Sequence, residues 1–324
     1  MEKYSFSSSF RGALLTIILL LAPCGLTAQI GGTAGAFARM GFGARGIGLG
    51  NAMVASTDGE INSYYNPALS PFATERIATA SFAFLSLDRY INFVSYTQAI
   101  KPTAGLSFGI INSGVRNIDG RDEDGAATGP LSTTEDQFYL SFANRLTPNF
   151  SIGATIKLYY ARLYDQVSTT TVGFDLGAYY QVTPDLGLGA AIRDLNSKYK
   201  WDTQALYGQP DGGTTTDTFP TLRTFGVSYH LRQFHLVVNG EVENSSASST
   251  IFRAGAEYSF LPEFSVRMGF DRLDGSDNST GAKPSFGFSV RNPLGRWTPV
   301  LDYAYMIEPY APSGIHVVSI SAAF

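Results

Sequence analysis

The last ten residues of the chain restrict its fold more than any other feature of the sequence. Residues 315–324 alternate between two kinds of strand position and end on an aromatic carboxy terminus. One face of the predicted strand carries every second residue, namely His316, Val318, Ile320, Ala322 and Phe324. This pattern is typical of the closing strand of a β-barrel in the bacterial outer membrane. We therefore expect Phe324 to close such a barrel and the barrel-assembly machinery to be a partner of the chain.

The rest of the chain contains further segments with the two-residue alternation of β-strands. Together with the last one there are fourteen, at residues 76–87, 90–100, 103–112, 137–147, 150–163, 170–182, 185–194, 222–231, 234–243, 251–260, 264–272, 284–292, 297–307 and 315–324. Outer-membrane barrels made of one bacterial chain have an even number of strands. The sequence thus predicts an all-β protein, a 14-stranded antiparallel transmembrane β-barrel.

The connections between these segments alternate in length, as in barrels with short periplasmic turns and longer outer loops. Short turns contain Pro followed by Asn, Asp or Glu, at residues 148–149, 184–185 and 262–263. Two outer connections, 113–136 and 195–221, are long enough to contact a partner. Three aromatic residues in the second are either exposed anchors for a partner or membrane-interface aromatics: Tyr199, Trp201 and Tyr207.

Charged residues are segregated on the strand face that is predicted to point away from lipid. The lipid-facing positions include Ile152, Ile156, Leu158, Phe286 and Phe288. The opposite face carries five cations and five anions: Lys157, Asp175, Arg193, Glu241, Arg253, Glu257, Arg267, Asp271, Arg291 and Asp302. An Arg or Lys on the lipid face costs about 2–4 kcal/mol at the bilayer midplane, so this segregation favours a polar lumen. The balance of signs indicates ion pairs rather than a charge-selective pore.

The amino terminus has the features of a secretory signal peptide. Lys3 and Arg11 precede an apolar stretch at residues 13–22, and small residues near position 28 offer a cleavage site. We expect residues 1–28 to be removed on export to the outer membrane. Cys24 is the only cysteine and leaves lipidation as an alternative. The net formal charge is −4, which gives no reason to expect a nucleic-acid partner.

Residues 29–75 lack strand alternation and contain glycine at positions 41, 43, 46, 48 and 50. A 14-stranded barrel encloses a lumen wider than its own side chains can fill. We therefore expect this segment to fold as a plug with short helical turns inside the barrel, which comprises residues 76–324. Its glycines would allow close approach to the wall, and Arg39 and Arg45 would pair with lumen carboxylates.

Two motifs in this segment resemble the amino-terminal signature of the PorV/PorQ family. They are the run Gly43-Ala-Arg-Gly-Ile-Gly-Leu-Gly-Asn-Ala52 and the later Tyr65-Asn-Pro-Ala68. The motif residues are Gly43, Arg45, Gly46, Gly48, Gly50, Asn66, Pro67 and Ala68. The family is part of the FadL-like outer-membrane proteins, whose amino-terminal hatch also contains Asn-Pro-Ala. The resemblance implies a 14-stranded barrel that is closed by such a hatch.

The resemblance also implies one of two functions, neither of them enzymatic. PorV/PorQ-like proteins serve type IX secretion, with a translocon and exported cargo as partners, and this is our first expectation. FadL-like proteins take up small hydrophobic molecules through a barrel that opens sideways into the membrane, which is the alternative. An uptake channel predicts a ligand-sized apolar pocket beside residues 66–68 and a gap in the wall. A secretion accessory predicts a filled lumen and an outer rim that binds a partner.

Several short motifs lack the context that their chemistry needs. Residues 41–46 match a dinucleotide fingerprint without a βαβ unit, and residues 105–109 match a nucleophile elbow but lie within a predicted strand. The three histidines lack metal-ligand spacing: His230, His235 and His316. The acidic loops 119–125 and 271–278 could hold calcium but lack the EF-hand spacing. We therefore expect no catalytic residue, no cofactor and no metal site.

Overall fold

The computed structural model describes residues 32–59, 62–273 and 281–324. The predicted signal peptide and Cys24 lie outside these residues, so the boundary at residue 28 remains a prediction. In the part of the chain that is described, no helix is both long and apolar enough to cross a membrane.

Fourteen of the sixteen described strands are antiparallel and close into one barrel, which confirms the predicted fold. In chain order the strands are β1 (Ile77–Phe84), β2 (Arg89–Ile100), β3 (Ala104–Arg121), β4 (Ala127–Thr147), β5 (Phe150–Tyr164), β6 (Val167–Thr183), β7 (Leu186–Leu195), β8 (Lys198–Asp202), β9 (Thr214–Thr218), β10 (Leu222–Leu231), β11 (Leu236–Ser245), β12 (Thr250–Leu261), β13 (Phe264–Leu273), β14 (Lys283–Arg291), β15 (Thr298–Met306) and β16 (Ile315–Ala323). β8 and β9 form a separate two-stranded sheet, and β7 pairs directly with β10. The barrel closes where β1 pairs with β16, and Phe324 exchanges two backbone hydrogen bonds with Arg76 beside that seam.

The described part of the amino-terminal segment, residues 32–59 and 62–75, lies inside the barrel and contains four short helical pieces. They are a 3-10 helix (Ala36–Arg39), α1 (Ala44–Gly48), α2 (Asn62–Tyr65) and a second 3-10 helix (Pro67–Phe72). Helices this short are not stable alone in water, so packing against the barrel wall must hold them in place. We call residues 36–72 the plug; the division of the chain at residue 75 remains a prediction.

The outer surface of the barrel is apolar. Large hydrophobic side chains are exposed on it, among them Phe108, Leu140, Ile156, Leu176 and Phe286. They alternate along the strands with buried inward-facing residues because successive strand side chains point to opposite faces. An outward apolar band of this kind matches the surface that a barrel presents to lipid.

Two of the predicted outer connections are wrong, because strand pairing continues or resumes within them. β3 and β4 stay paired as far as Arg121 and Ala127, so much of 113–136 is a hairpin that extends beyond the neighbouring strands. The connection at 195–221 contains β8, β9 and a helix, α3 (Gln204–Asp211).

The hairpin of β8 and β9 folds back against the inside of the wall at the outer end, the end with the longer connections. Lys200 donates a backbone hydrogen bond to the Thr169 hydroxyl of β6. Phe219, just after β9, packs with its ring centroid 4.9 Å from that of Tyr159 in β5. Because of this folding, the interpretation of Tyr199 and Trp201 as exposed aromatics is wrong; both are buried. Only the third aromatic, Tyr207 on α3, is exposed.

Candidate functional site

The candidate site is the lumen, where the plug backbone approaches the wall closely at inward-facing glycines. A side chain added at Gly255 of β12 would collide with the backbone of Leu49, and one at Gly269 of β13 would collide with that of Gly50. Only the glycines of the plug were predicted to allow this approach, not those of the wall. These wall glycines occupy the same inward-facing strand positions as the lumen charges, so the alternation could have identified them.

The first plug motif surrounds α1. Gly43 is the N-cap of this helix and has a φ of 74°, and Gly46 packs against the Tyr65 hydroxyl. Arg45 forms an ion pair with Glu257 of β12, with Nε to Oε2 at 2.9 Å. Its Nη1 also donates to the Asp58 carbonyl at 2.7 Å. The motif therefore joins α1 both to the wall and to the rest of the plug.

The second plug motif fixes the other end of the plug. The Asn66 side chain accepts a hydrogen bond from the Ala68 N–H, which caps the 3-10 helix that begins at Pro67. Its Nδ2 donates to the carbonyls of Val54 and Ala178 at 2.8 and 3.0 Å. Residues 66–68 are fully or almost fully buried. Plug and wall are thus hydrogen-bonded directly to each other at the place where an uptake channel predicts an apolar ligand pocket.

The predicted lumen charges form three groups of ion pairs inside the wall. Arg253 binds Glu241, Glu243 and Asp271, and Glu243 also binds Arg193. Lys157 binds Asp175 and Asp194 at 2.7 and 3.0 Å. Arg267 binds Asp302 and shares Glu257 with Arg45. Each buried charge in these groups thus has an opposite charge beside it, which limits the desolvation penalty.

The ten predicted charges are not equally enclosed. Eight are buried, Glu257 is half-buried, and Arg291 is exposed at the end of β14. Two buried carboxylates of the groups, Asp194 and Glu243, were missing from the prediction. Glu243 has the same parity as Glu241, so the alternation could have found it. Asp194 could not be found this way, because a register irregularity with φ of 61° turns it inward next to Arg193.

A polar cavity of about 730 Å³ lies between the plug and the wall at the short-turn end. We call it the vestibule. Arg45, Asp58 and Gly59 of the plug line its inner side. Residues near the ends of β10 to β16 and of β1, together with residues 73–75, line the rest. Arg291 and Glu263 are among the charged side chains that face it.

A small apolar cleft lies nearer the outer end, between the plug and β1, β2 and β16. Its lining residues are Met40, Gly41, Phe42, Gly43, Ile47, Ser81, Ala83, Leu85, Ile91, Phe93, Ile315 and Val317. The cleft holds about 10 Å³, which is room for roughly one water molecule. In this conformation it is too small for a ligand of several heavy atoms.

The inner wall is therefore divided into two sectors. The apolar sector surrounds the cleft and includes Ala83, Ile91, Phe93, Ile111 and Val317. The charged sector, across the lumen on β5 to β7 and β11 to β13, carries two of the three groups of ion pairs. Buried aromatic rings extend the apolar sector towards the outer mouth: Phe37, Phe42, Tyr64, Tyr139, Tyr159, Tyr199 and Phe219.

The hairpin of β8 and β9 closes the outer mouth partly through a tyrosine. The Tyr199 hydroxyl donates to Glu135 Oε1 at 3.1 Å. Burial, and then the Glu135 carboxylate, raise the pKa of Tyr199. The hydroxyl therefore stays protonated and keeps its role as donor at physiological pH.

In the described ranges, no group of three or more His, Cys, Asp or Glu residues could hold a metal ion. Most of the acidic loop 271–278 lies outside the described residues. The absence of a metal or cofactor site stays a prediction.

No protein-family model matches the chain, and no curated protein matches its sequence. Solved structures match its fold. The toluene transporter TbuX of Ralstonia pickettii is 14% identical, with a TM-score of 0.61, over 87% of this chain and 98% of that one. The monoaromatic hydrocarbon channel CymD is 14% identical, with a TM-score of 0.62, over 87% and 97%. A Pseudomonas aeruginosa FadL homologue is 12% identical, with a TM-score of 0.59, over 87% and 97%.

At such low identity these likenesses show the fold, which is that of the FadL-like 14-stranded barrels. Nothing among the comparisons singles out PorV/PorQ.

Proposed function

We propose that this barrel passes small hydrophobic molecules across the bacterial outer membrane. The observation that carries the proposal is the apolar cleft below the outer rim of β1, β2 and β16, in a lumen whose other side is charged. The FadL-like fold and the apolar outer band support placement in that membrane. The neighbours of this fold include a toluene transporter and a monoaromatic hydrocarbon channel, so small aromatic molecules are the first class to test.

The cleft lies where the wall is shortest. β1 has eight residues and β16 has nine, whereas β3 and β4 have 18 and 21. A tilted strand needs roughly 9–11 residues to cross the hydrocarbon core. The rim at β1 therefore lies close to the lipid boundary, and a molecule dissolved in the outer leaflet would reach the cleft over Leu85 and Ile91.

Stacked aromatic side chains beside the cleft could make ring–ring contacts with a small aromatic molecule. Phe42 of the plug stacks on Phe93 of β2 with centroids 5.5 Å apart, and Phe93 stacks near Tyr139 at 6.3 Å. Aromatic pairs of this geometry contribute about 0.5–1.5 kcal/mol beyond burial. Entry of a ligand requires Phe42 and its neighbours in the plug to move, because the cleft is filled in this conformation.

The test is uptake of radiolabelled toluene by cells whose lipopolysaccharide-bearing outer membrane contains the barrel. Ala83 faces the cleft and Phe82, the next residue of β1, faces outward. We expect Ala83→Trp to reduce uptake to the level of cells without the barrel, since the indole fills the cleft. Phe82→Trp is the matched control and should keep uptake. Equal uptake in both variants would show that the cleft is not used.

A secretion accessory is the second candidate, favoured by the filled lumen and by the extended hairpin of β3 and β4. The tip of this hairpin is exposed and acidic, with Asp122, Glu123 and Asp124. Native mass spectrometry of the detergent-extracted protein distinguishes the two functions. A stoichiometric protein partner, without barrel-dependent toluene uptake, would favour secretion.

A further inference from the structure

A layer only one inward-facing residue thick separates the apolar cleft from the vestibule along β1 and β16. On β1 the cleft reaches Ser81 and the vestibule reaches Ile77, which leaves Thr79 between them. On β16 the cleft reaches Val317 and the vestibule reaches Ser321, which leaves Ser319. At about 3.3 Å per residue, the four-residue interval on each strand spans roughly 13 Å.

Hydroxyl groups make up the wall side of this layer. Thr79 lies directly opposite Ser321, and Ser81 lies opposite Ser319. The hydroxyls of Ser319 and Ser81 are hydrogen-bonded to each other at 2.9 Å. We call these four residues the hydroxyl belt.

Two hydroxyls of the belt have no hydrogen-bond partner. Thr79 is 5% exposed and Ser321 is 2% exposed, and neither oxygen is hydrogen-bonded to another group. A buried polar group without a partner costs about 1–3 kcal/mol. Such groups are stabilised when a ligand or water supplies the missing hydrogen bond.

The plug side of the layer is α1. The Ala44 N–H, at the first residue of this helix, donates to the Ser319 hydroxyl at 2.8 Å. Ile47 faces the cleft and Arg45 faces the vestibule. A small displacement of α1 away from β1 and β16 would join the two cavities along the hydroxyl belt.

We propose that passage through the barrel runs between α1 and the β1–β16 wall, and that the hydroxyl belt favours small apolar molecules with one hydrogen-bonding group. This inference rests on the proposed uptake function and specifies its route and substrate class. A hydrocarbon crosses the belt without satisfying Thr79 or Ser321. A molecule such as p-cresol, which is toluene with an added hydroxyl, forms a hydrogen bond to them as it passes.

The first test compares uptake of radiolabelled p-cresol and toluene. Thr79→Val removes the hydroxyl and keeps the shape of the side chain. We expect it to lower the ratio of p-cresol to toluene uptake roughly fivefold, as the loss of one hydrogen bond does. Ser228→Ala in β10 is the matched control, since Ser228 also has a buried hydroxyl without a partner but lies across the lumen. An unchanged ratio of p-cresol to toluene uptake in Thr79→Val would overturn the substrate class.

The second test locates the route. The only cysteine of the chain is in the predicted signal peptide, so an introduced thiol can be labelled selectively. We expect N-ethylmaleimide to label Thr79→Cys while p-cresol is taken up and then to block uptake of both molecules. The same treatment of Ser228→Cys should leave uptake intact. Continued uptake by labelled Thr79→Cys, or continued uptake with no labelling, would refute the route, whereas absence of uptake by the unmodified barrel would refute the proposed function itself.

Discussion

Gly48 and Gly50 lie two residues apart in the plug but have different surroundings. A Cβ on Gly48 would lie 3.6 Å from the Arg267 Cβ, an ordinary contact. A Cβ on Gly50, where φ is +61°, would lie 2.6 Å from the backbone of Phe270. We expect Gly48→Ala to be neutral and Gly50→Ala to destabilise the folded barrel by at least about 1–2 kcal/mol, the cost of the left-handed conformation alone. Thermal unfolding in detergent measures both, and equal midpoints would contradict these contacts.

Glu257 is the carboxylate that Arg45 of the plug and Arg267 of the wall share. Glu257→Gln leaves two largely buried cations with one partner fewer. Removing one member of a buried ion pair costs about 3–5 kcal/mol, and we expect the lower end because 13% of the Glu257 side chain remains exposed, beside the vestibule. Glu263→Gln is the control, because Glu263 faces the same vestibule at a surface turn. Limited proteolysis should cut within the plug in the first variant only. Equal protection in both variants would mean that this ion pair does not hold the plug.

At the scale of elements, the sequence predicted the strands well because their signal is local. Alternation with a period of two identified all fourteen barrel strands, and Pro-containing turns separated them correctly. The path of the plug could not be predicted, because it depends on contacts between residues far apart in the chain, such as Leu49 with Gly255. The folding of Tyr199 and Trp201 into the mouth was missed for the same reason, since an exposed aromatic and an inserted one look alike in the sequence.

Removal of the hairpin of β8 and β9 should make the plug accessible from outside. Phe37 is 3% exposed and packs with Tyr159 and Phe219 below this hairpin. We expect a barrel with residues 198–218 replaced by a short Gly-Ser turn to fold, because β7 pairs directly with β10. A membrane-impermeant maleimide added outside should then label Phe37→Cys. Deleting only residues 204–211, which are exposed, is the control and should leave the thiol protected. Equal labelling of the two deletions would show that the hairpin does not close the mouth.

At the scale of the whole molecule, the lumen combines a charged sector that holds the plug with an apolar sector where the cleft leaves about 10 Å³ beside the plug. Glu241 of this sector accepts hydrogen bonds from the backbone N–H groups of Met53 and Val54. Asp271 accepts one from the side chain of Asn51. Moving the plug here would take donors away from buried carboxylates, which is costly. The apolar sector contains the cleft and, below it, the hydroxyl belt. The chain thus fixes one side of the plug and leaves the other side easier to displace.

The most direct test of this account is a reversible lock between the plug and the wall. A Cβ on Gly48 would lie 3.7 Å from the Ala304 Cβ, within the 3.5–4.5 Å range of disulfides. In the Gly48→Cys/Ala304→Cys barrel we expect oxidation to abolish toluene uptake and a reductant to restore it, while each single variant stays active. If the cross-linked barrel takes up toluene as fast as the same barrel after treatment with reductant, the plug does not need to move. If cells with the unmodified barrel, and cells with either form of the variant, take up toluene no faster than cells without the barrel, the proposed uptake function is wrong.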